Sequence, residues 1–471
     1  MKILLINPSL KEAEISHYKK KVEKNRGVYT PLGLCYIASS LINKNHLVKI
    51  IDCDIEENYI EKIENTLKEF DPEIVGFYVM TWTYRQTKEI ARKIKKYNSE
   101  IKTIVGGPQP TTFPKLSINC PEFDFGVISE GETTIQELIS AIKNHNSFDK
   151  IKGLVFKKKS EVIVNSKREL IKDLDLIPFP ARNLLPVNKY FDIFTKKRNF
   201  ATLIASRGCP FKCSFCDRDN RMGRYWRVRS PKNIIQEIKE IQKKYNINEF
   251  MFFDDNLTSD KKWILRLCDL IKKEKLKIIW ECRTRVDLVD KKILVAMKQA
   301  GCYRIRFGFE SGNNKILKII QKDITVEQSL KCAEICKETK MEIFGYFMMG
   351  SPYETEKNLK ETLNLALKIN PDFALFSKTI LIPNTEIFDW AVKNNYIKKD
   401  YWEKYLSGKE INSAPALNTR ELPEKIVNKY ISLANKKFYL RFNYLLKRIL
   451  SIRNWQQFLS QLKMAKELLF K

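Results

Sequence analysis

Histidine is nearly missing. The 471 residues hold three, His17, His46 and His145. Long apolar runs are missing as well: no stretch of 18 apolar residues occurs, so no helix is expected to span a membrane. The opening Met1-Lys2-Ile3-Leu4-Leu5-Ile6-Asn7-Pro8 has too short an apolar core for a secretory signal. No G-x-G-x-x-G occurs, so a dinucleotide fingerprint is absent. Of 11 cysteines none follows Cys336, which argues against a second cluster in the C-terminal part. Most of them stand singly in apolar surroundings. That pattern reads as reduced thiols of a cytoplasmic protein rather than a disulfide framework. Cys332 and Cys336 share one face of an expected helix and read as core thiols.

What is present is ample core material, with 44% hydrophobic residues, and a length that suggests two or three domains. The formal charge is +29. Such an excess can signal nucleic acid or an anionic membrane. Here the lysines are scattered along helix faces, so the excess reads first as a solvated surface, and nucleic acid is not the expected partner.

One stretch stands out: Cys209-Pro210-Phe211-Lys212-Cys213-Ser214-Phe215-Cys216, spaced C-x3-C-x2-C. Thiolates are soft ligands that suit iron–sulfur clusters or zinc. A structural zinc site takes four protein ligands, usually as two separated pairs. No fourth His or Cys lies near. Three ligands on a 4Fe-4S cube leave one iron open to a substrate or cofactor. This pattern, with aromatic Phe215 before the last cysteine, resembles the cluster loop of the radical S-adenosylmethionine (SAM) enzymes.

Upstream, strand and helix signals alternate. Strand-like runs cover 2–7, 47–52, 73–81, 101–107 and 124–129, with helical patterns between them. This argues for a parallel sheet wrapped by helices, with ligands beyond the carboxyl ends of the strands. The turns there are Asn7-Pro8-Ser9, Met80-Thr81-Trp82, Gly106-Gly107-Pro108 and Glu130-Gly131-Glu132. Together with the PLGLCYIAS stretch at 31–39 they resemble the cobalamin-binding domain that precedes the SAM domain in many radical SAM enzymes. That resemblance makes Pro8, Thr81, Trp82, Gly106, Gly107, Pro108, Glu130, Gly131 and Glu132 candidate cobalamin contacts. The Asp-x-His-x-x-Gly motif of many cobalamin proteins is absent, so histidine ligation is not expected.

A β-hairpin is expected over 151–165, then a Pro-punctuated linker, Leu176 to Arg182. Strand–helix units recur from 201 to 395, six in all, and predict a partial (β/α)6 barrel whose site lies at the strands' carboxyl ends. The resemblance assigns Asp254 and Asp255 to the methionyl amine of SAM, and Arg283 and Arg285 to its carboxylate. Glu310 or Ser311, in Gly308-Phe309-Glu310-Ser311-Gly312, would reach the ribose. The Gly345–Thr355 stretch, matching GxxxxGxPxET, would line the adenine pocket. Glu354 and Thr355 are expected only to open the next helix. Outside a cofactor role, Asp254 and Asp255 read as helix N-terminal acids and the arginines as surface salt-bridge partners.

The expected fold class is therefore α/β: a Rossmann-like cobalamin-binding domain (1–150), a hairpin and linker (151–190), a radical SAM barrel (191–400) and a basic helical region (401–471). From Lys436 to Lys471 there are nine Lys/Arg against one acid, Glu467, interleaved with apolar residues. Such a tail either caps the barrel or lies on an anionic membrane as a peripheral contact. The resemblance implies three cofactors, a 4Fe-4S cluster held by Cys209, Cys213 and Cys216, SAM and cobalamin. It also implies a flavodoxin- or ferredoxin-like electron donor. Three functions stand open. One is radical methyl transfer to an unactivated carbon of a small molecule, lipid or peptide. Another uses the same cofactors for oxidative cyclisation or rearrangement. The third is a basic RNA-binding metalloprotein, such as a tRNA methylthiotransferase.

Overall fold

The computed structural model describes residues 1–10, 27–217, 222–410, 414–442 and 444–446. His17, Arg221 and the tail beyond 446 lie outside the described residues. The chain forms two compact units, and neither is continuous in sequence. One comprises Met1–Phe191, Asp217–Arg229 and Lys399–Ala414; the other comprises Asp192–Cys216, Ser230–Lys398 and Pro415–Lys471.

The first unit is built on a seven-stranded sheet. Its strands are β1 (Lys2–Asn7), β2 (Leu47–Asp52), β3 (Ile74–Tyr78), β4 (Lys102–Gly106), β5 (Phe125–Val127), β6 (Leu154–Lys158) and β7 (Glu161–Val164). Their order is β2-β1-β3-β4-β5-β6-β7. The first five are parallel; the inner strands β1, β3, β4 and β5 are buried on both faces along their centres, as their apolar runs require, while Leu47 and Lys49 are exposed on the edge strand β2. The hairpin β6–β7 joins the edge antiparallel to β5, so it extends the sheet instead of standing apart. Helices α1 (Leu32–Ile42), α2 (Tyr59–Phe70), α3 (Tyr84–Tyr97) and α4 (Glu132–Lys143) cover the sheet. The Pro-punctuated stretch is no free linker: Ala181, Leu185 and Tyr190 belong to the same apolar core as Ile3, Leu5, Ile74 and Leu138.

The second unit carries six parallel strands in sequential order: β8 (Ala201–Leu203), β9 (Glu249–Phe252), β10 (Ile279–Thr284), β11 (Cys302–Glu310), β12 (Glu342–Met349) and β13 (Phe373–Lys378). This is the partial barrel. Towards its amino end the strand register sets Glu281 opposite Arg304 and Arg304 opposite Glu342. Arg304 bonds both, Nη1 to Glu281 at 3.1 Å and Nη2 to Glu342 at 2.9 Å. Arg306 pairs with Glu281 and Asp192. The charges buried at that end are thus paired, as burial demands.

An open barrel leaves β13 with an unpaired edge. Helix α5 (Glu424–Tyr439) covers it. The Tyr439 hydroxyl donates to the Ala374 carbonyl at 2.6 Å and accepts from its amide at 3.2 Å. Tyr444 donates to Asp372 O at 3.0 Å, and Phe438 is fully buried. The described part of the basic tail therefore caps the barrel. Among the described residues no helix is long and apolar enough to cross a membrane.

Candidate cofactor site

Strand β8 ends at Leu203, and the chain turns through Gly208, at φ 86°, into the cysteine loop. That positive φ is open to glycine and costly for other residues. Cys209 and Cys213 are half-buried, and Cys216 is exposed. The loop is pinned from both sides of Ser214: its amide donates to Ile320 O at 3.0 Å, and its carbonyl accepts from Ile387 N at 3.1 Å. Among the described residues no three His, Cys, Asp or Glu side chains converge as on a single metal ion. A four-iron cube binds each thiolate at a different iron and does not need such convergence.

The groups around the loop suit thiolates. Asn256 Nδ2 donates to Cys209 Sγ at 3.1 Å. The Arg285 guanidinium lies 3.7 Å from the Phe211 ring centre and grips Asp287 through Nε and Nη2, at 2.9 and 3.0 Å. Its remaining nitrogen, Nη1, stands 3.9 Å from Cys213 Sγ. Lys322 is buried, its Nζ 2.9 Å from Glu310 Oε1 and 6.0 Å from the Phe215 ring centre. Burial pushes the Cys213 thiol up; Lys322 and then Arg285 oppose it, while Glu310 adds to it. Burial pulls the Lys322 ammonium down, but Glu310 and Cys213 outweigh it and leave it above its ordinary value. A donor hydrogen bond to sulfur and nearby cations both favour a ligated cluster.

Of the residues marked from sequence, Phe215, Arg285 and Glu310 thus meet around Cys213. Others face elsewhere. The Asp254 carboxylate is 1% exposed and turns back on its own sheet, accepting from Ala205 N at 3.1 Å and from Ser206 Oγ. Burial pushes it up to about 6, against the pull of Ser206. Asp255, beside it, is half-buried. Arg283 lies over the Phe253 ring at 4.7 Å, and its Nε has no partner among the described residues. Ser311 is buried against Thr362, the two hydroxyls 3.3 Å apart. Lys322 and Asn256 were missed, since nothing in a Lys-rich sequence sets one lysine apart. Glu354 was read as a helix opener. Its Oε2 instead accepts from the amides of Gly350 and Ser351, at 2.6 and 2.8 Å.

In the first unit the strand order reverses direction at β1, so the crevice opens beyond the carboxyl ends of β1 and β3. Pro8, Thr81 and Trp82 stand on those turns; Gly106, Gly107 and Pro108 follow at β4. Gly107 has φ 96°, and a Cβ there would lie 3.0 Å from the Tyr78 ring. Two buried atoms at this end have no partner among the described residues, the donor Trp82 Nε1 and the acceptor Gln109 Oε1. A corrin rimmed with amide side chains offers complements to both. His46 stands before β2 and His145 after α4, away from these turns.

A buried polar cluster, also missed, braces the β1 and β2 ends. Asp52 accepts from Asn7 at 2.8 Å and from Tyr190 at 2.9 Å, and Asp54 accepts from Ser9 at 3.0 Å. Burial pushes Asp52 up to about 6, with Asn7 pulling the other way. Glu130 is engaged by Arg227 and by Ile171 N, the latter at 2.7 Å. Gly131 leads into α4, where Glu132 is buried in the first turn.

The sequence pattern of the Radical SAM superfamily matches residues 203–366, and that of the B12 binding domain residues 19–139. The chain is 34% identical over 450 residues to the uncharacterized methyltransferase PH0819 of Pyrococcus horikoshii, covering 95% of each. It is 27% identical over 457 residues to the anaerobic magnesium-protoporphyrin IX monomethyl ester cyclase of Rubrivivax gelatinosus, covering 94% of this chain and 79% of the cyclase. Its fold is similar to that of the radical SAM methyltransferase TsrM of Kitasatospora setae, solved with cobalamin and a [4Fe-4S] cluster bound. The TM-score is 0.68 at 16% identity, over 83% of this chain and 75% of TsrM. The chain belongs to the cobalamin-dependent radical SAM enzymes, with the B12-binding domain first and the radical SAM domain after it.

Proposed function

We propose that this enzyme transfers a methyl group to an unactivated carbon of a small molecule. The observation that carries the reading is the end-to-end similarity to a methyltransferase, joined to a cysteine loop whose neighbours suit a cluster. In this reading Cys209, Cys213 and Cys216 hold a 4Fe-4S cluster. When bound, the cluster and SAM supply a carbon-centred radical by one-electron cleavage, and cobalamin supplies methyl transfer. The chain's own residues bind and orient. Asn256 and Arg285 direct N–H groups at two of the sulfurs, and Arg283 offers a cation for the SAM carboxylate. Trp82 and Gln109 offer a donor and an acceptor to corrin amides. The electron comes from a flavodoxin- or ferredoxin-like donor.

Similarity to the cyclase supports a second reading, oxidative cyclisation with the same cofactors. The two differ in by-products. The test uses anaerobically reconstituted, cobalamin-loaded protein incubated with deuterated-methyl SAM, reductant and a small-molecule extract. Methyl transfer yields S-adenosylhomocysteine together with 5′-deoxyadenosine, and a product carrying the label. Cyclisation yields 5′-deoxyadenosine without S-adenosylhomocysteine and leaves the product unlabelled.

A further inference from the structure

Lys322 is a buried cation near the cysteine loop whose charge the reading above leaves unused. Its surroundings are costly to build. The residues on either side, Gln321 and Asp323, both take left-handed backbone, at φ 51° and 52°, as does Glu310 at 60°. Left-handed non-glycine residues gathered around one side chain mark a conformation that the fold enforces. Gly308 lies against the same pair: a Cβ there would lie 2.3 Å from Glu310 Oε1 and 2.7 Å from Lys322 Nζ. An apolar pair of similar volume would pack this space without desolvating two charges. The loop containing Lys322 also touches the cysteine loop directly. Ser214 N bonds Ile320 O, and Asp323 O accepts from Arg285 Nη2 at 3.4 Å.

The two cations differ from ordinary ion-pair partners in their orientation. Arg285 spends Nε and Nη2 on Asp287 and leaves Nη1 towards Cys213. Lys322 Nζ lies 2.9 Å from Glu310 Oε1 and 6.0 Å from the ring centre of Phe215, the residue before Cys216. Both cations therefore stand at the cysteine loop, Arg285 at the Cys213 sulfur and Lys322 beside the Phe215 ring. Taking up one electron adds one negative charge to a cluster that three thiolates already make anionic. Net charge near the sulfurs is one of the factors that set the potential of such a cluster.

We propose that Lys322 is a positioning residue for charge: with Arg285 it offsets the anionic cluster and raises its reduction potential, and Glu310 limits the effect. This rests on the cluster reading given above. The test is an EPR-monitored redox titration of the reconstituted full-length protein, poised with dithionite and mediators, in the absence of SAM. Iron and sulfide contents are measured first.

Lys322→Met is expected to shift the midpoint to more negative values, Lys322→Arg to hold it near wild type, and Glu310→Gln to shift it to more positive values. Opposite shifts for the methionine and glutamine variants support the proposal. Unchanged midpoints, or shifts of one sign, overturn it. A lysine that served only to hold the SAM carboxylate would leave the SAM-free midpoint unmoved, which also overturns it. If Lys322→Met takes up no cluster, Glu310→Gln decides alone: a positive shift supports, and an unchanged or negative one overturns. Failure of the wild-type protein to take up a 4Fe-4S cluster would refute the cluster reading itself, a result distinct from a cluster whose potential ignores Lys322.

Discussion

Arg227 grips Glu130: its Nη1 lies 2.9 Å from both carboxylate oxygens, and the side chains are 9% and 4% exposed. The same guanidinium donates to Ile171 O at 2.7 Å and Met222 O at 3.0 Å. This ties Asp217–Arg229, the segment that follows Cys216, into the first unit. Breaking a buried pair from one side leaves an uncompensated charge, at a cost of about 3–5 kcal/mol. Arg227→Met should therefore destabilise the first unit by that order, read by chemical denaturation. The double variant Arg227→Met/Glu130→Met should recover a large part of the loss. Equal losses in single and double variants would mean that Arg227 matters for its backbone contacts alone.

Gly312, in the Gly308–Gly312 stretch marked from sequence, has a packing reason of its own. A Cβ there would lie 2.2 Å from Glu361 O and 2.7 Å from Thr362 N, backbone atoms of the helix Glu356–Ile369. Backbone cannot step aside as a side-chain tip can. Gly312→Ala should cost about 3 kcal/mol, at the upper end for overpacking. Gly308→Ala meets only the side-chain ends of Glu310 and Lys322 and should cost less. Thermal denaturation of the two variants orders them, and a reversed order would remove this account.

Asp254 holds the strand end that feeds the cysteine loop, through Ala205 N and Ser206 Oγ. An asparagine keeps one acceptor oxygen and turns an NH2 towards a donor. Asp254→Asn should lower the iron retained after reconstitution several-fold, since a buried donor is left unsatisfied. Iron per chain after gel filtration checks this. Full retention would free Asp254 for a direct role with SAM.

The α/β class was legible because parallel strands buried on both faces must be continuous apolar runs, as in KILLIN and EIFGYFMM. The cysteine loop was legible because its ligands are local. What sequence did not disclose depends on long-range partners. Tyr190 reaches Asp52 across 138 positions, and Arg227 reaches Glu130 across 97, so neither pairing leaves a periodic trace. The turn from Glu354 back to Gly350 is local, yet helix-opening acids look the same in sequence.

That turn also makes stability depend on pH. Glu354 is 1% exposed, its Oε2 bound by two amides and its Oε1 without a partner among the described residues. Burial pushes its carboxyl from 4.5 up to about 7, against the pull of the Ser351 and Gly350 amides. The folded chain therefore holds this proton more tightly than the unfolded chain. The stability that this proton contributes is fully present below pH 4.5 and is lost as pH rises through about 7. The loss amounts to about 3 kcal/mol, taken from the shift at 1.36 kcal/mol per unit. Glu354→Gln carries no titrating group. The stability difference, wild type minus variant, should fall as pH rises from 5 to 8 (about the range that spans the shifted value). Asp52 and Asp254 titrate alike in both proteins and cancel from that difference. A difference that stays flat across the range would show that the Glu354 carboxyl ionises as freely in the folded chain as in the unfolded one.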